Sequence, residues 1–340
     1  MYPMAIICGN TFILKPSEKD PGPSMYIADL FKQAGLPDGV FNILNGDGDT
    51  VELLINDKRI SAVSFVGSSN IAEIIYETGT SSGKRVQALG GAKNHAVVMP
   101  DADIDNVIKS LTGAAYGSCG ERCMAISVAV CVGDETADKV VAGLTDEINQ
   151  FKIGNGMQAG MDLGPLISSE HKNKILGYIE SGIEEGARLV VDGRDITIIG
   201  HEDGYFLGGC LFDNVTPQMK ICKEEIFGPV LCVVRANSLE EAMQVIEHNP
   251  YGNGTCIFTR DGGTANYFSD NISIGMVGIN VPLPVPVAYH SFGGWKRSLF
   301  GDLSIYGPDA VRFYTRRKTI SQRWPTGTSE RAQFSFPSNK

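Results

Sequence analysis

The sequence predicts an α/β protein whose strands run mostly parallel. Through residues 1–89, short apolar runs typical of strands alternate with amphipathic runs typical of helices. From about residue 90 the same alternation resumes with longer segments. Strand–helix–strand order is the pattern of a parallel sheet whose crossovers are helices, so we expect both regions to be layered in this way.

The first region contains four strand-like runs and three helical runs. The strand-like runs are TFILK (11–15), VFNILN (40–45), AVSFVG (62–67) and VQAL (86–89). The helical runs lie at 25–35, 50–57 and 71–78. Gly35 and Pro37 mark the end of the first of these helices. A doubly wound sheet usually opens with its own first strand, whereas this chain enters a sheet already under way.

The second region is larger and ends in irregular chain. Helices are predicted at 104–116, 134–151, 169–186 and 238–249, and strands at 127–132, 187–193, 229–236 and 254–260. Proline and glycine crowd residues 281–302, which predicts a long loop. The run FYTRRKTISQRW (313–324) predicts a terminal strand, and residues 325–340 form a polar tail.

The charge balance excludes one class of partner. The chain has 29 Lys and Arg against 39 Asp and Glu, a net charge of −10. Nucleic acid and anionic membranes are therefore repelled rather than attracted. Basic residues do cluster near the end of the chain, at Arg312, Arg316, Arg317, Lys318 and Arg323. A solvated face of the terminal strand explains that cluster, with a polyanion site as the alternative.

The eight cysteines do not read as a disulfide framework. Cys131, Cys232 and Cys256 lie inside apolar strand-like runs, where a cysteine behaves as a small hydrophobe. That usage fits a reducing compartment. No apolar run reaches the length of a transmembrane helix, and the N-terminal residues lack the pattern of a signal peptide. We expect a soluble protein of the cytoplasm, or of the mitochondrial matrix in a eukaryote.

One further cysteine, Cys123, has a different setting. In GSCGERCMA (117–125) a helix ends, two glycines make a turn and a strand follows, which places Cys123 on a constrained loop beside backbone N–H groups. Such a site can lower the pKa of a thiol and stabilise an oxyanion, so Cys123 is the candidate nucleophile. An ordinary buried cysteine is the alternative. A metal pair with Cys119 lacks the second pair or histidine cluster that a metal site needs, so we predict no metal.

Two further segments have the chemistry of a dinucleotide site. Lys15 and Glu18 of KPSE leave the end of a strand, where a parallel sheet presents groups to ribose hydroxyls. In FVGSSN (65–70) a strand passes into a helix whose N-terminus suits a pyrophosphate. A third segment, EEIFGPV (224–230), carries an acidic pair that by itself predicts only a solvated loop.

Together these segments resemble the motifs of the aldehyde dehydrogenase superfamily. KPSE, FVGS, a G-x-R-C-x-A loop, EEIFGPV and a late FGGWKxS follow the family's order over roughly residues 3–324. The resemblance implies that Cys123 is the nucleophile and that NAD is the cofactor. It also implies six cofactor-binding residues: Lys15 and Glu18 at the adenosine ribose, Lys19 beside them, Ser68 at the pyrophosphate, Glu225 at the nicotinamide ribose and Phe227 in the same pocket.

A departure from the family narrows the expected reaction. Hydrolytic members carry Glu-Leu-Gly-Gly-Lys, whose glutamate activates water; counting back from Lys93, Leu89 stands at that position. Water is a poor nucleophile without a base, whereas a thiol keeps some thiolate at neutral pH. The stretch GAKNHAVVMPDAD and the ending FYTRRKTISQRW resemble the methylmalonate-semialdehyde dehydrogenases, which acylate coenzyme A. Glu121 departs from the glutamine usual in that group.

In the same group the arginine beside the nucleophile helps to hold a carboxylate of the substrate. Arg122 occupies that position and has the planar fork that matches a carboxylate. A structural ion pair is the alternative role for Arg122.

The implied reaction begins with attack of the Cys123 thiolate on the aldehyde. Hydride passes to NAD and leaves a thioester, the methylmalonyl or malonyl group loses CO2, and coenzyme A collects propionyl or acetyl. One alternative is a hydrolytic enzyme with a different base. Another is a catalytically weak fragment that acts only as an assembly partner.

The resemblance also implies a domain plan. Part of a Rossmann-type cofactor domain (1–89) precedes an α/β catalytic domain (90–310), a C-terminal oligomerisation strand (311–324) and the polar tail (325–340). A homo-oligomer, dimer or tetramer, is expected. Relatives place a much longer segment before the KPSE strand, so we expect an N-terminally truncated chain with low activity on its own.

Overall fold

Helices and strands alternate along residues 1–324, which are the residues that the computed structural model describes. The strands are β1 (Phe12–Leu14), β2 (Phe41–Ile43), β3 (Ala62–Val66), β4 (Arg85–Leu89), β5 (Asn94–Val98), β6 (Ile126–Val132), β7 (Arg188–Val191), β8 (Cys210–Asp213), β9 (Val230–Ala236), β10 (Tyr251–Gly252), β11 (Gly254–Phe258), β12 (Met276–Ile279), β13 (Trp295–Lys296) and β14 (Leu299–Phe300). The helices are α1 (Tyr2–Ile7), α2 (Gly22–Gln33), α3 (Gly48–Asn56), α4 (Ser69–Ser81), α5 (Ile104–Tyr116), α6 (Asp134–Ile148), α7 (Ser169–Glu184), α8 (Lys220–Lys223), α9 (Leu239–Glu247), α10 (Gly262–Asn271) and α11 (Gly307–Tyr314).

A seven-stranded sheet forms the core of the second region. Its strand order is β12-β11-β5-β6-β9-β8-β7, and every pair is parallel except β7 with β8. The central strands are almost wholly buried, which explains why they are continuous apolar runs rather than alternating ones. The predicted interior positions of Cys131, Cys232 and Cys256 are confirmed, and all eight cysteines are free. In the described part of the chain no helix has the length and apolarity to cross a membrane.

The first region contains parallel strand pairs, as predicted, but in two small sheets. Strands β1 and β2 pair with each other, and β3 pairs with β4. Strand β14 then adds to β4 in antiparallel register, with Leu299 opposite Leu89. The proline- and glycine-rich stretch over 281–302, predicted to be a long loop, therefore contains two short strands, β13 and β14, and the second of them returns to the first region. The division at residues 89 and 90 stays a prediction.

The structure corrects the prediction of a terminal strand over 313–324. The chain is helical to Tyr314, and residues 315–324 have no regular structure. Pro308 in the first turn favours a helix start, and Ala310 and Phe313 are buried, so an amphipathic helix covers apolar surface there. Within the described residues no strand pairs with 315–324. The predicted tail at 325–340 lies outside the described residues.

The end of α11 is held against the first region. The Arg85 guanidinium donates hydrogen bonds to the carbonyl oxygens of Arg312 and Thr315, and the Asn10 side chain donates to that of Tyr314. These bonds occupy carbonyls that a helix C-terminus leaves without partners. The arrangement ties the two ends of the described chain together.

Candidate active site

The nucleophile loop connects α5 to β6, as the sequence predicts. A single 3-10 turn follows α5 over Gly117–Gly120, and two of its residues, Ser118 and Cys119, have left-handed φ angles of 53° and 55°. Gly120 also has a positive φ, of 69°, and a Cβ there would lie 2.1 Å from the carbonyl oxygen of Gly228. Only glycine fits that position. The turn fixes the direction in which the chain enters the segment that carries Cys123.

Cys123 is partly buried, and its thiol lies close to two backbone N–H groups. Burial raises the pKa of the Cys123 thiol, and the carboxylate of Glu225 acts in the same direction. The N–H groups of Cys123 and Met124 and the charge of Arg122 lower the pKa, without reversing the effect of burial. The sequence suggested that such a loop can lower the thiol pKa. In the free chain desolvation outweighs the favourable contacts, so that expectation is corrected.

Cys119 has a different environment. Its thiol is buried and donates a hydrogen bond to the carbonyl oxygen of Gly164 over 3.2 Å. Burial raises the pKa of Cys119 to about 11. A buried thiol that is already hydrogen-bonded as a donor is a poor nucleophile. The two cysteines of the loop are therefore chemically distinct.

Four of the predicted site residues line one cleft: Arg122, Cys123, Glu225 and Phe227. Glu225 is placed there by a hydrogen bond that its Oε1 accepts from the backbone N–H of Ala92 over 2.8 Å. Burial raises the pKa of Glu225, while the Ala92 N–H and the nearby Lys93 lower it. The acidic pair of EEIFGPV is thus not a plain solvated loop, because Glu225 turns inward.

The loop that carries Phe227 is held in an unusual conformation. Phe227 has a φ of 60°, which is rare for a residue with a side chain. Its carbonyl oxygen lies 2.6 Å from Nε2 of His171, in the first turn of α7. His171 also lies 3.5 Å from the carboxylate of Glu121, two residues before Cys123. His171 therefore joins the nucleophile loop to the Glu225 loop.

Arg122 has a structural role that the sequence did not specify. Its Nη2 donates hydrogen bonds to the carbonyl oxygens of Gly113 (2.6 Å) and Ala114 (3.1 Å), at the C-terminal end of α5. Cations are favourable at a helix C-terminus, because the helix dipole is negative there. The alternative of an ion pair is thus replaced by a helix cap, and the same guanidinium still borders the cleft.

Leu89, which the motif comparison predicts to stand at the position of the glutamate in hydrolytic relatives, lies in an apolar cluster. Its buried neighbours are Met124, Met276, Phe292 and Ile305, and the partly buried Cys123 packs against this cluster. Leu89 is 4% exposed. Leu89 has no proton-accepting group, and the apolar cluster to which it belongs packs against Cys123.

The remaining predicted cofactor residues form a second group after strands β1 and β3. Lys15 Nζ donates to Oε2 of Glu18 over 3.2 Å and to the carbonyl oxygen of Gly46 over 2.9 Å. The pKa of Glu18 is lowered by its own backbone N–H and then by Lys15, so the carboxylate is ionised. Lys19 follows in the same exposed turn. Ser68 is the N-cap of α4, and its side chain makes no capping bond.

Sequence reasoning missed the residues that hold the backbone between β4 and β5. The N–H of Gly91 donates to Oγ of Ser69, and Oγ of Ser298 donates to the carbonyl oxygen of Gly91. Both serines lie inside quoted motifs, directly after FVGS and at the end of FGGWKxS. The sequence does not indicate that these two serines are buried. A serine in such a motif suggests ligand binding rather than support of a neighbouring loop.

Comparison with known proteins fits this geometry. The aldehyde dehydrogenase family, as a sequence family, matches residues 1–320 of the chain. The chain belongs to the aldehyde dehydrogenase family.

Individual relatives carry narrower descriptions. This aldehyde dehydrogenase is 66% identical over 339 residues to a malonate-semialdehyde dehydrogenase of Pseudomonas aeruginosa, covering 99% of the chain and 68% of the relative. A crystal structure of methylmalonate-semialdehyde dehydrogenase from Oceanimonas doudoroffii is 61% identical, with a TM-score of 0.95 over 96% of this chain and 67% of that one. A Sinorhizobium meliloti protein described as methylmalonate-semialdehyde dehydrogenase, solved with NAD, is 54% identical, with a TM-score of 0.95 and the same coverage. The chain spans about two thirds of the length of these relatives.

Proposed function

We propose that the chain oxidises methylmalonate semialdehyde and malonate semialdehyde with NAD, and transfers the resulting acyl group to coenzyme A. The observation that carries the proposal is the apolar cluster around Leu89, which leaves no base at the position where hydrolytic members activate water. The names of the relatives support the choice of substrate.

In the proposed reaction Cys123 is the nucleophile. Its thiolate attacks the aldehyde carbon, and the oxyanion that forms is stabilised by backbone N–H groups of the loop. NAD, when bound, accepts the hydride from this adduct, which leaves an acyl thioester on Cys123. The C–C bond to the carboxylate then breaks to release CO2, and the acyl carbon chain gains a proton. The thiolate of coenzyme A finally displaces Cys123 from the propionyl or acetyl thioester.

The described residues fit NAD in two places. Glu225 is anchored by the Ala92 N–H with its other oxygen Oε2 directed towards Gly91, which suits a ribose hydroxyl contact near Cys123. The unused side chain of Ser68 at the start of α4 suits a pyrophosphate, because helix N-terminal N–H groups attract anions. Lys15 and Glu18 would bind the adenosine ribose, with Lys19 beside them, and Phe227 would line the nicotinamide pocket.

Arg122 would hold the carboxylate of the substrate. Only its Nη2 is engaged with the end of α5, its Nε is buried without a partner among the described residues, and Arg122 lines the same cleft as Cys123. A homo-oligomer formed through residues 311–324 also belongs to the proposal. It is supported by the exposure of residues 315–324, and light scattering of the purified chain measures it.

Dependence on coenzyme A tests the proposed function. With malonate semialdehyde and NAD but no coenzyme A, we expect one equivalent of NADH and then a stall, because the thioester has no acceptor. The Leu89→Glu variant should restore turnover without coenzyme A, and Leu89→Gln, of similar size but without a base, should not. Undiminished steady-state NADH formation by the unaltered chain without any thiol would overturn the proposal.

A hydrolytic reaction is the second candidate, and Glu225 is the observation that favours it. Glu225 is a carboxylate in the same cleft as Cys123, and burial raises its pKa towards the range of a general base. Release of acid from the preformed Cys123 thioester, at saturating NAD and without coenzyme A, measures this activity. Release that disappears in Glu225→Gln would favour hydrolysis over acyl transfer.

A further inference from the structure

The carbonyl oxygen of Cys123 is held by two side-chain amides from different strands. It accepts hydrogen bonds from Nδ2 of Asn94 over 2.9 Å and from Nδ2 of Asn253 over 3.2 Å. Asn94 is the first residue of β5, and Asn253 directly precedes β11. Both side chains are buried, at 2% and 5% exposure. A backbone carbonyl in a loop would ordinarily meet one partner or water.

The two asparagines are themselves fixed by the central sheet. Oδ1 of Asn94 accepts the backbone N–H of Gly254, the residue after Asn253. Nδ2 of Asn94 also donates to the carbonyl oxygen of Ala125, on the other side of Cys123. Strands β5 and β11 are hydrogen-bonded neighbours in the sheet. The clamp on Cys123 is therefore built on two paired strands of the seven-stranded sheet.

Geometry links this clamp to the thiol. The carbonyl of Cys123 and the N–H of Met124 belong to one planar peptide unit and point in opposite directions. When the oxygen is held by two donors, the orientation of the N–H is fixed as well. That N–H and the one of Cys123 itself are the two backbone groups that lie against the thiol. Donors on the oxygen also polarise the peptide, which strengthens its N–H as a donor.

We propose that Asn253, together with Asn94, is a positioning residue that aims the Met124 N–H at the sulfur of Cys123 and so stabilises the thiolate. The inference rests on the proposed role of Cys123 as the nucleophile. Asn94 is also needed for the register of β5 with its neighbours, because it bonds Gly254 and Ala125. Within the described residues the Asn253 side chain donates only to the Cys123 carbonyl and, over 3.0 Å, to Sδ of Met124, so it is the better residue to change.

The test measures the thiol directly, without aldehyde, NAD or coenzyme A. The rate of iodoacetamide alkylation at Cys123 is followed by peptide mass spectrometry as a function of pH, in the unaltered chain and in Asn253→Leu. Leucine keeps the branched shape of asparagine, with methyl groups in place of the amide oxygen and nitrogen, and removes the donor. We expect the midpoint of the alkylation profile to rise by about one pH unit, so that alkylation below the midpoint slows roughly tenfold.

The matched control is Asn249→Leu. Asn249 is another buried asparagine whose Nδ2 donates to backbone carbonyls, those of Cys222 and Lys223 at the end of α8 rather than that of Cys123. It should lose stability without moving the Cys123 midpoint. The smaller Asn253→Ala serves if the leucine variant does not fold, and Asn253→Gln, which keeps an amide donor, should recover part of the shift.

Two results are informative against the inference. An unchanged midpoint in a folded Asn253→Leu or Asn253→Ala variant would overturn it, because the thiolate would then not depend on the clamp. An equal shift in Asn249→Leu would overturn it too, since general loosening would explain the effect. If Cys123 in the unaltered chain is alkylated no faster than Cys119, the proposed nucleophile fails instead. If the midpoint shifts as expected but the unaltered chain turns over without coenzyme A, the present inference stands. Only the proposal that coenzyme A is the acyl acceptor would then fail.

Discussion

Adding one methyl group at Gly91 should displace Glu225. A Cβ built on Gly91 lies 2.3 Å from Oε2 and 2.9 Å from Cδ of Glu225, distances that real atoms do not tolerate. The backbone of Gly91 is itself anchored on both sides by Ser69 and Ser298, so it cannot retreat without breaking those bonds. In Gly91→Ala the Glu225 carboxylate must therefore move away from the Ala92 N–H.

The size of the effect on NAD binding follows from the hydrogen bond that Glu225 would make to the ribose. A hydrogen bond to a charged group is worth about 1.5–3 kcal/mol, and every 1.4 kcal/mol changes an equilibrium constant tenfold. If Glu225 binds the nicotinamide ribose, its displacement should weaken NAD binding by roughly 10- to 150-fold. Loss of the separate hydrogen bond between Glu225 and the Ala92 N–H lowers the free energy of unfolding. Alanine offsets part of that loss, by about 0.4–1 kcal/mol, because it restricts the unfolded chain more than glycine does.

Calorimetric titration with NAD measures the first effect, and a denaturant titration measures the second. Gly177→Ala, in the middle of α7, is the matched control, because a Cβ there meets nothing within 4 Å. Combining Gly91→Ala with Glu225→Ala tests the route of the effect. If Gly91 acts only through Glu225, the double variant should bind NAD as weakly as Glu225→Ala alone. Equal NAD affinity in Gly91→Ala and Gly177→Ala would refute the reasoning.

Four further outcomes are expected. Peptide mapping after incubation with semialdehyde and NAD should find the acyl group on Cys123, and Cys119→Ala should keep the activity that Cys123→Ala loses; an adduct on Cys119 alone would contradict this. NAD should bind better than NADP by calorimetry, because a 2′-phosphate facing Glu18 costs at least about 1 kcal/mol, and Glu18→Gln should narrow the difference; equal affinities in the unaltered chain would count against the role of Glu18. Burial raises the pKa of Cys123, so the thiolate fraction should still increase as the pH rises past about 8.5, the ordinary pKa of a thiol. The single-turnover rate of acylation should increase over the same pH range. A rate that is already constant at neutral pH would contradict this prediction. Arg122→Lys should lose the preference for carboxylated over neutral aldehydes, measured as the ratio of their kcat/KM values. The variant should also lose about 1–2 kcal/mol of stability, because the cap on α5 is weakened. An unchanged ratio would leave Arg122 with a structural role only.

The sequence predicted most elements whose pattern is local. The helix from Ile104 and the helix from Asp134 begin where the pattern places them, and the buried apolar runs of β6, β9 and β11 are strands. It missed β5 and β8, because NHAVV and CLFD are short and mix polar with apolar residues without a clear alternation. The sequence also predicted a strand after residue 312, because alternation of polar and apolar residues is typical of an extended segment. The helix that ends at Tyr314 depends on the burial of Ala310 and Phe313, which the local pattern does not indicate.

The site was predicted unevenly for the same physical reason. Cys123 and Glu225 share a cleft as the family motifs imply, although they are about one hundred residues apart in the chain. The cap that Arg122 makes on α5 depends on where the loop folds back, which no motif encodes. The amides of Asn94 and Asn253 converge on one carbonyl only because β5 and β11 are neighbours in the sheet. Pairings of that kind are set by topology rather than by local pattern.

The cleft combines two kinds of support that favour the same chemistry. Serine hydroxyls and backbone amides hold the Glu225 side of the cleft, and asparagine amides hold the backbone of Cys123, so both reacting sides are fixed by polar groups. Between them the cluster around Leu89 is apolar. We expect a thioester formed there to be attacked slowly by water, because Leu89 and its apolar neighbours accept no proton, whereas a thiol that reaches the cleft brings its own ionised nucleophile. Under the proposed function, leucine in place of that carboxylate favours a thiol as the acceptor of the acyl group, while the polar contacts on either side stay in place.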